Sequence, residues 1–508
     1  MKRNVRTSWI ALFIMAGSIA LLALPLVLSL RGQALVGSRQ PVSTSAGGLD
    51  FVAEELGPMP DASRLALTVV SVDCRNAVMI LADRVAHSRL FLNGACVQSS
   101  DDIPLAAIRY DGNSLAYLSR FDVRRMLVIE GNALPSLATP HDLPESLTPD
   151  VLTFSPDGAH FAYVARDGGK EFVVMDGTAG VPCDRIVEGI GDGDVGYVLF
   201  SPDGHRFAYI AQVGDLQDLV IDGKKVADGL RISDVSFSHD SQHVAFKVRL
   251  FEKNEVHFHV DDKDIGHSDA GTGPVFSDDG KHVAYAAETK DPLDVSAGTT
   301  SIVLDGRTGP PIVENDGAAQ RTGARPVVSH ITFSPDGKHL AFDQQRVQGA
   351  NRGVVYHYHH VNLDGLEGKE YARIYGITFS PDGRALAYSA YDIMGGVDST
   401  PRGWLTVLGN KEGPVYESVL APVFSPDSQH YAYAARKDGH WLMVLDGHEI
   451  GQYVPIVSEA FGRSNVIDDH FPSPYRFDSD DKLVFLGLSD GRILRVICKP
   501  NANSALRQ

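Results

Sequence analysis

The chain has 508 residues, 44% of them hydrophobic and 22% charged, with 49 glycines and a formal net charge of −18. This composition is globular, and the glycine excess predicts many tight turns. The charge falls to −22 once the four cations before residue 32 are set aside; a surface so acidic repels phosphate backbones and anionic headgroups, which argues against nucleic-acid binding and otherwise keeps a large protein soluble.

Residues 9–30 read WIALFIMAGSIALLALPLVLSL, 22 residues without a charge, enough to cross a hydrocarbon core as a helix. Lys2, Arg3 and Arg6 precede it, so the positive-inside rule puts the N-terminus in the cytoplasm and the rest outside. Residues 1–31 are therefore a signal anchor. Cleavage as a signal peptide at Gly32-Gln33-Ala34 is the alternative. Residues 32–66, rich in Gly, Ser, Pro and Ala, read as a flexible tether.

From residue 67 one phrase recurs: FSPDGAHFAYVA at 154, FSPDGHRFAYIA at 200, FSHDSQHVAFKV at 237, FSDDGKHVAYAA at 276, FSPDGKHLAFDQ at 333, FSPDGRALAYSA at 379 and FSPDSQHYAYAA at 424. Weaker copies begin at Val70, Ile108 and Phe477. A spacing near 45 residues marks a repeat architecture, and for β units of this length that is a propeller. Within each copy a strand ends at the Phe, the SPDG sequence turns the chain, and a short apolar strand follows. Ala162, Ala208, Ala245, Ala284, Ala341, Ala387 and Ala432 share one slot, where a small side chain lets blades approach. The next slot is always aromatic. A third strand ends in Asp-Gly, as at 176–177 and 446–447, a hairpin signal. A fourth strand completes the meander.

The fold expected is all-β: a propeller of about ten four-stranded units over 67–500, in one large ring rather than two smaller ones, with a short tail at 501–508. A strand near 50–70 is expected to complete the last blade and close the circle.

The repeat resembles the WD40-like PD40 repeat of TolB-type propellers. That resemblance implies a periplasmic binding partner in envelope complexes. The same repeat forms the propeller of prolyl-oligopeptidase-like enzymes, but here no G-x-S-x-G elbow or α/β stretch accompanies it. The small N-terminal domain that TolB pairs with its propeller is also missing from the pattern.

Candidate chemistry is sparse. No CxxC occurs among Cys74, Cys96, Cys183 and Cys498, which excludes zinc-ribbon and thioredoxin-like motifs; Cys74 and Cys96 are the closest pair, and buried free thiols are an equal expectation. The turn acids Asp157, Asp203, Asp336 and Asp382 read as structural. His257 and His259 alternate in VHFHV, and His357 and His359 in YHYHH; alternation places each pair on one face of a strand, where imidazoles can bind zinc or copper, although no third ligand follows. Asp192 and Asp194 in GDGDVG lack the rest of a calcium loop. The sequence predicts no catalytic residue and no cofactor. It leans toward an exported, non-enzymatic scaffold, periplasmic and held at the inner membrane, that binds a protein or small envelope ligand. An exported hydrolase or lyase with a site in the central channel is the alternative. Loops where the copies differ, such as 288–300 and 343–353, are where function is expected.

Overall fold

The computed structural model describes residues 42–46, 49–58, 65–70, 77–82, 88–92, 95–100, 102–108, 114–121, 124–131, 141–143, 152–189, 197–250, 255–290, 298–312, 327–351, 354–393, 401–450, 454–455 and 475–500. The expected anchor helix at 9–30 and the tail at 501–508 lie outside them. Among the described residues no helix is long and apolar enough to cross a membrane.

The strands form ten antiparallel sheets, numbered here as blades 1 to 10: blade 1 over 65–100, blade 2 over 102–143, blade 3 over 152–179, blade 4 over 185–229, blade 5 over 231–268, blade 6 over 270–308, blade 7 over 327–367, blade 8 over 373–412 and blade 9 over 418–450. Each sheet packs on the next in chain order. Blade 10 packs back on blade 1, where Phe91 lies against Val484, Leu486 and Ile493. The contacts therefore describe one ring of ten, larger than the usual four to eight blades.

Blade 10 joins the two ends of the chain. Its strands Tyr475–Phe477, Leu483–Ser489 and Arg492–Lys499 come from the C-terminal end, and Leu49–Pro58 and Val42–Ala46 are added from the N-terminal end. Phe51 sits opposite Cys498 and Ala53 opposite Val496, and Arg492 and Arg495 reach Glu55 and Glu54 at 2.6 and 3.1 Å. The expected closing strand is present. The reading of 32–66 as a tether is corrected at 42–46 and 49–58, because alternating apolar residues in LDFVAEELGP fit a strand whose Phe51 and Ala53 face the core.

Packing follows the repeat. All seven slot alanines are 0% exposed, which leaves no room for a larger side chain between blades. The aromatic slots, from Tyr163 to Tyr433, are buried beside them. The turns are more elaborate than the sequence suggests. In the first, Ser155 Oγ donates to Asp157 and accepts the His160 amide at 2.9 Å, while Asp157 Oδ1 accepts the Ala159 amide at 3.0 Å. The same Ser–Asp bond recurs at Ser201, Ser238, Ser277, Ser334, Ser380 and Ser425.

The Asp-Gly turn is bolted to this first turn. Asp176 and Gly177 have φ of 49° and 80°, the left-handed pair of a type I′ hairpin. Asp176 Oδ1 accepts the Phe161 amide at 3.0 Å, and Oδ2 meets His160 Nδ1 at 2.7 Å. His243–Asp261, His282–Asp305, His339–Asp364 and His430–Asp446 repeat the pair, and Arg206 takes the place of His opposite Asp222. In blade 8, where Ala385 replaces the His, Gly409 replaces the Asp. The two residues thus change together inside one chain.

Neighbouring turns also touch. Ser241 and Ser428 occupy the slot usually held by Gly, at φ of 64° and 62°, and their Oγ atoms accept the amides of Asp203 and Asp382 in the preceding blades, each at 3.0 Å. Asp481 does the same for Asp427 at 2.8 Å. Each side chain offsets its strained backbone with an inter-blade bond. One face of the ring is therefore a belt of locked turns.

Candidate functional site

A meander of four strands puts its first and third turns on one face and its second turn, with the crossover to the next blade, on the other. The belt occupies the first face, so the opposite face holds the segments free to vary. There, the second and third strands are joined by two residues in blades 2, 3, 4, 9 and 10, as between Asp167 and Lys170 or Lys437 and His440, and in blade 1 the break runs from Ala82 to Ser88. In blade 5 the break runs from Arg249 to Val256, in blade 6 from Lys290 to Gly298, and in blade 8 from Ile393 to Pro401. Blade 7 instead lengthens its strands to Leu340–Asn351 and Val354–Leu363.

The inner strands of blades 5 to 8 each shift register by one residue, between Ser233 and Ser236, Thr272 and Val275, Ser329 and Thr332, and Tyr375 and Thr378, as do those of blades 1 and 2 between Leu65 and Leu67 and between Asp102 and Leu105. In blades 5 to 8 one residue in each bulge has positive φ: Asp234, Gly273, His330 and Gly376. Such bulges re-aim side chains. Glycine adopts this conformation freely, whereas Asp234 and His330 hold it at a cost.

Between the bulges of blades 5 and 6, on the variable face, lies a cavity of about 460 Å³. Arg231, Lys247, Arg249, Asp234 and Glu288 supply its charge. Lys247 stands in a slot filled by Val164, Ile210, Ala286 and Ala434 in blades 3, 4, 6 and 9, and by the polar Asp343 and Ser389 in blades 7 and 8. Its Nζ lies 2.5 Å from Asp234 Oδ2 and donates to the Gly271 carbonyl at 2.8 Å; Asp234 Oδ2 also accepts the Gly273 amide at 3.2 Å. Both side chains are largely enclosed, so this pair ties blade 5 to blade 6 and forms a fixed polar wall.

The histidines singled out from the sequence lie on the third strands of blades 5 and 7, as their spacing indicates, but in different slots. Register puts His257 opposite Val248 and His360 opposite Gln344, so His360 is the counterpart of His257. His257 Nδ1 meets Asp264 at 2.7 Å and its ring stacks on His267. His259 stacks on Phe246, and burial lowers its pKa. His359 Nδ1 lies 2.9 Å from Asp343, which also accepts from Ser329. His357 lies in the same strand opposite Val347. The side chains of His257, His259 and His359 are engaged separately, and among the described residues no group of three His, Cys, Asp or Glu is placed to hold a metal. Asp192 and Asp194 lie outside the described residues. Cys183 and Cys498 are buried free thiols, pushed up to about 11 and about 12 by burial; Cys74 lies outside the described residues.

Sequence reasoning missed Arg231, Asp234, Lys247 and Arg249. The available signal was comparison of the copies with one another: Lys247 is a cation in a slot that is apolar in blades 3, 4, 6 and 9.

No family model matches the sequence, and no curated protein does. Among solved structures, the chain is similar to the Dos1 propeller, with 13% identity over 69% of this chain and 93% of that one and a TM-score of 0.32. It is similar to the β-propeller domain of the Trilobed protease from Pyrococcus furiosus, with 13% identity over 61% and 93% and a TM-score of 0.28. It is also similar to the dihydro-heme d1 dehydrogenase NirN, with 13% identity over 61% and 67% and a TM-score of 0.30.

Proposed function

We propose that this protein is an exported, non-enzymatic propeller of the PD40 type, held to the inner membrane by residues 9–30, whose blades 5 to 8 bind a protein or small ligand of the cell envelope. The observation that carries this reading is the segregation of the ring into two faces. The turn face is consumed by its own hydrogen bonds, whereas the opposite face has its longest joins between second and third strands in blades 5, 6 and 8, its lengthened strands in blade 7 and a charged cavity between blades 5 and 6. Binding residues are commonly carried on variable loops above a rigid scaffold. Propellers also form parts of enzymes, so the test must separate the two roles. Crosslinking in membranes followed by purification is expected to capture an envelope partner, with crosslinks on blades 5 to 8. Hydrolase or lyase turnover by the purified chain, or crosslinks confined to the turn face, would overturn the reading.

A further inference from the structure

Cross-strand neighbours at the variable-face end of each blade offer an internal comparison. The residue pairs there are Arg185–Gln212 in blade 4, Ala270–Glu288 in blade 6, Val327–Gln345 in blade 7, Arg373–Tyr391 in blade 8 and Ser418–Arg436 in blade 9. Blade 5 places Arg231 directly opposite Arg249, and both line the cavity. Like charges directly opposite each other work against strand pairing, and here they bring two guanidinium groups to one cavity wall. Lys247 adds a third cation, already engaged by Asp234 and the Gly271 carbonyl. The cavity thus sets three cations against the two carboxylates of Asp234 and Glu288, in a chain whose net charge is −18.

We infer that the cavity between blades 5 and 6 receives a small ligand bearing a carboxylate or phosphate group, with Arg231 and Arg249 holding the oxyanion. Guanidinium forks match both groups by paired N–H donors. The cavity volume is in the range of small-molecule sites. The rigid Lys247–Asp234 wall fixes the shape of the site, and Glu288 limits the negative charge a ligand can carry. This assignment names a ligand class for the binding face proposed above, and rests on that reading.

The test is calorimetric titration of the full-length chain in detergent with succinate and with inorganic phosphate, at matched ionic strength. Saturable binding of either anion is expected, and which one binds identifies the group recognised. Arg231→Gln and Arg249→Gln should each weaken it at least tenfold, whereas Lys281→Gln, on the turn face, should leave it unchanged. Arg231 is exposed, so its substitution tests the site without disturbing the core. Absence of saturable binding of both anions, or binding indifferent to both arginines, would overturn the inference. Partner capture on blades 5 to 8 would still stand in that event, so the two failures are separable.

Discussion

Replacing Asp446 by alanine isolates the lock between the two turns of a blade. Asp446 accepts the Tyr431 amide at 3.0 Å and meets His430 Nδ1 at 2.7 Å, from a backbone at φ 49°. The side chains of His430 and Asp446 are only 9% and 2% exposed, so water does not replace the lost bonds. Stranding one amide costs about 1–3 kcal/mol. Holding alanine in the left-handed region costs about 1–2 kcal/mol more. With the His430 contact gone as well, Asp446→Ala should destabilise the chain by about 3–5 kcal/mol, at the upper end for a point mutation. Asp446→Asn keeps an amide acceptor and tolerates the backbone, so its loss should be well under half of that. Asp176→Ala is the comparison, because the same lock there is 38% exposed on both sides and solvent competes for it. Guanidinium unfolding of the full chain, with hydrogen exchange across Tyr431–Lys437 and His440–Leu445, reads the effect. Equal losses at Asp446 and Asp176 would refute the reasoning. The pH dependence adds a sign. Burial alone would lower the pKa of His430, but Asp446, with Asp427 and Asp481 nearby, outweighs it and raises the value above 6.5. A raised histidine stabilises fully below its unfolded value and loses that contribution as pH climbs through the folded one. The stability lost in His430→Asn should therefore shrink from pH 6 toward pH 8.

Ser428→Ala removes the acceptor for the Asp382 amide and leaves alanine at φ 62°, whereas Ser428→Gly relieves the backbone; denaturant midpoints should rank wild type above Gly and Gly above Ala, with about 1 kcal/mol or more separating the ends. Gly204→Ala would put a Cβ 2.3 Å from Asp157 Oδ1, whereas at Gly280 the nearest atom is 3.8 Å away, so thermal melts should show the larger drop for Gly204. Deleting residues 42–58 leaves Arg492–Lys499 as an open edge; a lower melting temperature and concentration-dependent association in light scattering are expected. Cys183 and Cys498 should resist maleimide in the native protein and react only once it is unfolded, as burial keeps both protonated.

The sequence carried the blade plan because seven copies agree in register, and slots such as Ala162 and Tyr163 have packing reasons visible in any one copy. The histidine–aspartate lock was not legible, since His160 and Asp176 lie 16 residues apart and each has a local explanation, one as a polar residue after a turn and the other as a turn former. Composition misled at 42–58, where flanking glycine, serine and proline hide a strand whose partner lies at the far end of the chain. The bulges left no mark because one extra residue before FSPDG breaks no visible pattern. The cavity needed both an alignment of slots and a register: only pairing shows that Arg231 and Arg249 face each other.

The ion pair between Glu55 and Arg492 spans 437 residues. At about 5–20 residues per second of synthesis, the N-terminal hairpin of blade 10 precedes its partner strand by about 20–90 s. A two-stranded hairpin is marginal on its own in water. For that interval the nascent chain is an open arc with a strand edge at its leading end, and a transient guard on that edge, whether membrane surface or chaperone, would govern the yield of closed rings more than the stability of any single blade.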